Sequence, residues 1–127
     1  MSASGDIEEL IRQLGYFSSI DNNMQVGTIL ALLQVALAVS RGGHGTTELV
    51  EKKVGMGSGT ASRNVRYWGS GHKSMSKAMK YMTNEMDPED NRKRVLRLTH
   101  TGEAFIDKIM TTPGTKRELK GDGQKTG

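Results

Sequence analysis

Apolar positions in this chain change their spacing from one stretch to the next, and those changes mark its elements. Between Asp6 and Ile20 they fall at Ile7, Leu10, Ile11, Leu14 and Phe17, the three-and-four spacing that lines one stripe of a helix. Asp21-Asn22-Asn23 interrupts the pattern with residues suited to capping a following helix. Met24 to Ser40 is apolar on most faces, as expected of a helix at the centre of a domain or in a subunit interface. Arg41-Gly42-Gly43-His44-Gly45 ends it, because successive glycines cost a helix too much backbone entropy. Thr46 or Thr47 can then cap a short helix to Val54, with Leu49, Val50 and Val54 inward. Past the turn Gly55-Met56-Gly57, Ser58 is expected to cap a helix to about Trp68 that points Ala61, Val65 and Trp68 inward. Two short helices joined by a glycine turn form a helix-turn-helix candidate.

The second half mixes periods. Gly69-Ser70-Gly71 should break the helix, yet Met75, Met79 and Met82 recur beside Lys73, Lys77 and Lys80. An extra amphipathic turn and a solvated linker both fit that segment. Tyr81–Met86 can be a strand, and Asp87-Pro88-Glu89-Asp90-Asn91 is rich in turn formers. Arg94–Thr99 alternates, Leu96 and Leu98 on one face and Val95 and Arg97 on the other. Thr101 is expected to cap a last helix holding Ala104, Phe105, Ile106, Ile109 and Met110. The order of elements is that of a winged helix-turn-helix, mostly α with one small β-hairpin (α+β).

Composition narrows the classes. With 127 residues and 13.9 kDa there is room for one domain with a genuine core. The absence of cysteine excludes disulfides and thiolate metal sites. The first residues, MSASGDIEEL, lack the apolar run of a secretory signal, and the apolar stretch Val26–Val39 is too short and interrupted to span a bilayer. A cytoplasmic protein without a membrane partner is expected. Charge is unevenly placed: residues 1–40 sum to −3, residues 41–80 to +6 and residues 81–127 to +1. A basic middle is the footprint of a phosphate-contacting surface.

The segment MGSGTASRNVRYW, residues 56–68, resembles the recognition helix of the multiple-antibiotic-resistance regulator (MarR) family. Met56 and Trp68 stand at that family's two leucine positions, and Gly59, Thr60, Ala61, Ser62, Arg63 and Val65 fit its pattern. DPEDNRKRVLRLTHTGEAF is similar to the family's wing, with Asp87, Pro88, Glu89, Asp90, Arg92, Leu98, Thr99 and Gly102 in register. The chain departs from the family in three places. Asn91 stands where an arginine is common, residues 69–80 contain an insertion, and the C-terminal helical region is short.

The resemblance implies a sequence-specific regulator of transcription, a repressor, that binds double-stranded DNA as a homodimer. Its helix would enter the major groove with Ser58, Thr60, Ser62, Arg63, Asn64 and Arg66 toward DNA. There an arginine can read guanine bidentately, and Asn64 can either pair with adenine or lie at the edge of the core. Arg92, Lys93 and Arg94 at the wing would reach the minor groove or its phosphates, with Asp90 bracing Arg92. Dimerisation is expected through Ile7, Leu10, Leu14 and Phe17, with Phe105, Ile106 and Ile109. This divides a single domain, 1–110, into a dimerisation helix (1–23), a DNA-binding core (24–100) and a C-terminal helix (101–110), followed by a disordered basic tail (111–127). Family members often bind small aromatic effectors, but no residue pattern here supports such a ligand.

Other chemistries are weaker. GMGSG, residues 55–59, lacks the Lys-Ser/Thr of a phosphate-binding loop and follows a helix where a strand is needed. His44, His72 and His100 have no metal-ligand spacing, and no nucleophile stands with a base, so neither an enzyme, a metal nor a cofactor is expected. A contrasting reading is a small winged-helix module, of phage or plasmid type, that binds polymerase or another regulator. Loss of DNA affinity with rising salt separates the two.

Overall fold

Residues 3–70 and 79–111 are described by a computed structural model of the chain. The puzzling part of the segment 69–80, with Met75, therefore falls outside the described residues, as does all of the expected tail beyond Thr111. Helix α1 spans Ala3–Ile20 and α2 spans Val26–Ser40. Gln25, not Asp21–Asn23, occupies the cap position of α2. Asp21 instead closes a turn, its carboxylate accepting from the Asn23 amide at 2.9 Å. Helix α2 buries Ile29, Ala31, Leu32, Val35 and Ala36 and packs against the elements on both sides of the turn at residue 57 as well as the hairpin. It is the central post expected from its apolar run.

Helix α3, Thr47–Val50, is capped by Thr46, whose hydroxyl accepts from the Leu49 amide at 2.9 Å. The chain then widens into a π turn over Glu51–Gly55 where a continuing α-helix to Val54 was expected. Gly55 closes that turn at φ +84°, a left-handed conformation that a side chain would disfavour. Helix α4, Ser58–Trp68, begins one residue after its cap position, which Gly57 fills. Strands β1, Met82–Met86, and β2, Arg94–Leu98, pair antiparallel from Met82↔Leu98 to Met86↔Arg94. Gly45 exchanges both backbone bonds with Leu96 (2.8 and 2.9 Å), tying the α2–α3 loop to the hairpin. Val95 and Leu96 lie on opposite faces of β2 yet are both buried, so the simple inward-outward alternation expected for β2 fails at Val95. Helix α5 is His100–Met110, and its cap is Thr99, not Thr101; the Thr99 hydroxyl accepts from Gly102 at 3.0 Å.

The few aromatic residues are concentrated where the helices meet. Phe17 of α1 packs edge-on against both Trp68 and Phe105, and Trp68 stacks on Tyr81 at 5.6 Å. The Trp68 indole also donates to the Thr28 carbonyl of α2 at 2.7 Å, so burying its N–H leaves no unmet bond. Phe17, Phe105 and Ile109 are 2%, 8% and 1% exposed. These three were expected at a dimer contact. They are instead core of the single chain, because the edge-on aromatic contacts close α1 onto α5. Arg12 joins the same helices from the surface, donating to the Ile109 carbonyl at 2.6 Å and the Lys108 carbonyl at 3.4 Å. A guanidinium there satisfies carbonyls that the last turn of α5 leaves open and complements the helix dipole.

Candidate nucleic-acid interface

Helix α4 has two sharply different sides. Ala61, Val65 and Trp68 are buried, and a turn of 3.6 residues places Gly59, Arg63 and Arg66 opposite them. All three are exposed, as are Ser58 and Thr60, while Ser62 is half-buried. With Gly57 at the cap position, no side chain bonds the first amides of the helix. An exposed, uncapped helix start with small residues presents partial positive charge and free N–H groups to an anion. Arg63 and Arg66 add full charges one turn further along.

Asn64 does not belong to that surface. It is 8% exposed, its amide donates to the Thr60 carbonyl at 2.9 Å, and its oxygen accepts from the Thr28 hydroxyl at 2.5 Å. The expectation that it faces DNA is corrected by this pair of bonds: the amide is spent inside the protein, locking α4 to α2. The same side chain therefore helps fix the rotation of α4 that turns Arg63 and Arg66 outward.

The hairpin supplies a second set of cations. Arg92, Lys93 and Arg94 are all exposed. Asp90 accepts from Arg92 at both its backbone amide (3.1 Å) and its Nε (3.2 Å). Those bonds from Arg92, aided by the charge of nearby Lys93, hold the Asp90 carboxyl below its ordinary pKa. Arg94 is held differently, its Nε donating to the Asn84 side chain across the hairpin at 3.1 Å. Asn84 escaped the sequence reading. Its link to Arg94 is diagonal between strands, and only the register Met86↔Arg94 reveals it. Helix α4 touches the hairpin through β1, but none of its outward residues bonds to those of the wing.

On another side of the fold, a groove of about 520 Å³ lies between α2 and α5, walled by Leu33, Leu37, Leu98, Ile106 and Met110 with Glu103 and Asp107 on its lip. Ile106 thus faces this groove and is half-buried. Along α1, Ile7, Leu10, Ile11 and Leu14 are all more than 40% exposed. Among the described residues no group of acidic or histidine side chains is arranged to hold a metal, and no helix is long and apolar enough to cross a membrane.

No protein-family model and no curated protein matches the chain. Solved structures do. A MarR-like transcriptional regulator from Thermotoga maritima superposes with a TM-score of 0.54 at 21% identity, over 91% of this chain and 77% of that one. BpsR of Bordetella bronchiseptica, whose DNA binding is regulated by 6-hydroxynicotinic acid, gives 0.48 at 18% identity, over 95% and 83%. The resemblance seen in two short motifs thus extends to the arrangement of the helices and hairpin: this chain has the MarR-like winged-helix fold.

Proposed function

We propose that this protein is a regulator of transcription that binds double-stranded DNA, with α4 in the major groove and the hairpin at the adjacent minor groove. The observation that carries the reading is the bare outer side of α4. Gly59 leaves room for close approach, the open amides can meet phosphate, and Arg63 and Arg66 stand exposed on the same side. Ser58, Thr60 and Ser62 add hydroxyls, and Arg92, Lys93 and Arg94 add wing contacts. Two copies acting together would read a near-palindromic site, their contact built on Ile7, Leu10, Ile11 and Leu14, which form an apolar stripe that a lone chain leaves in water. Repression by occupying the site is the mode of action that goes with this reading.

Selection of bound sequences from a random duplex pool tests the reading. Enrichment of a two-fold symmetric motif is expected, with affinity falling steeply as salt rises. Replacing Arg63 by Ala should weaken the selected site by about 10-fold or more and relax the base preference at one position in each half. If no sequence is enriched and binding is insensitive to salt, the protein-interaction reading replaces this one.

A further inference from the structure

The two wing arginines are restrained by chemically different partners, and the difference decides which of them grips an anion more strongly. Arg92 points its Nε and one terminal nitrogen at the Asp90 carboxylate, at 3.2 and 3.5 Å. A phosphate approaching Arg92 therefore also meets the negative charge of Asp90, and two of the donors are already engaged. Arg94 gives only its Nε, to the neutral amide oxygen of Asn84. Among the described residues its two terminal nitrogens take no partner, and no ion pair involves it. The face carrying this pair continues the one on which Met82 and Leu96 are buried. Asn84 therefore stands on backbone anchored by the core, one step nearer the domain than the guanidinium it holds.

Resting on the DNA-binding reading above, we propose that Arg94 is the wing's main phosphate-gripping side chain and that Asn84 is the residue positioning it. An arginine is a flexible chain ending in a planar fork of donors. Tethering the fork at Nε removes freedom that binding would otherwise remove, and it leaves the terminal pair aimed as a unit for bidentate contact. Arg92, by contrast, closes its backbone amide and side chain on Asp90, so it meets an anion with fewer free donors and a carboxylate beside it.

The test is a set of binding isotherms on a short random-sequence duplex across a salt series, with thermal melts to show that each variant folds. Arg94→Ala should lower the salt slope by about one, and Arg92→Ala should lower it by less. Asn84→Ala keeps the charge, so the slope should hold while affinity drops about threefold to tenfold. Asn84→Asp, which gives Arg94 a carboxylate partner like that of Arg92, should flatten the slope as Arg94→Ala does. In an Arg94→Ala background, Asn84→Ala should cost nothing further. An equal cost of Asn84→Ala in both backgrounds would mean that Asn84 acts on the hairpin alone and would overturn the proposal, as would a larger slope change from Arg92→Ala. A parent protein that binds no duplex would remove the DNA-binding reading itself, and this inference with it. Steep binding indifferent to Arg94 would remove only the inference.

Discussion

Asn64 lies on a helix face otherwise filled by Ala61, Val65 and Trp68, and it is stable there because both ends of its amide are bonded. Its oxygen partner, Thr28, is 36 residues away in sequence, so helical spacing puts this asparagine at the edge of the core but does not reveal the bond that keeps it there. Asn64→Ala should cost about 1–3 kcal/mol in urea unfolding, since it leaves the half-buried Thr28 hydroxyl without its acceptor. Adding Thr28→Val should recover part of that loss. A variant of undiminished stability that has lost DNA binding would return Asn64 to the interface. Asp90 offers a second test at this scale. Its pKa is lowered in the folded protein by the bonds from Arg92, so the contact is complete above the ordinary carboxylate range and is lost as pH falls through the lowered value. An NMR titration should show the Arg92 Nε–H resonance moving with an inflection below that of an unperturbed aspartate. An inflection at the ordinary value would mean that the brace does not form in solution.

At the scale of elements, the start of α5 is the tightest join. A Cβ on Gly102 would collide with the Tyr81 carbonyl oxygen, and that carbonyl also accepts from the Thr99 amide at 3.0 Å. Gly102→Ala must push α5 off the strand entrance, and a loss of about 1–3 kcal/mol in thermal or urea denaturation is expected. Wild-type stability in that variant would show that the helix start shifts freely. This join also marks how far the sequence could be read. The inward register of α4 follows from periodicity alone and agrees with the buried Ala61, Val65 and Trp68. The apolar stripe of α5 is equally plain, but not what it faces: Phe105 packs within the chain against Phe17 from α1 and against Tyr81, contacts distant in sequence, and Ile109 shares the same core. Thr99 and Thr101 both look like caps. The choice between them is made by the path of the chain leaving β2, and the π turn after α3 has no local signature at all.

At the scale of the molecule, the exposed stripe on α1 is the feature a monomer explains least. Leu10→Asp combined with Leu14→Asp should leave the melting temperature of a single chain nearly unchanged, because both positions are already exposed. In sedimentation, the pair should convert dimers to monomers. Affinity for a two-fold symmetric site should then fall by about 10²–10⁴, the advantage that linking two binding units confers. A variant that remains dimeric would place the contact elsewhere. Within one copy, the closure of α1 on α5 has a consequence in time. Arg12 and its acceptors lie 96 and 97 residues apart, and Phe17 shares the core with Phe105 across a similar span. A nascent chain emerging from the ribosome would therefore hold α1 without its companion until the elements between them had been made. Of these two helices, the one made earlier must wait for the later one. During that interval its apolar residues are open to any chaperone, or any sister chain on the same message, that reaches them before α5 does.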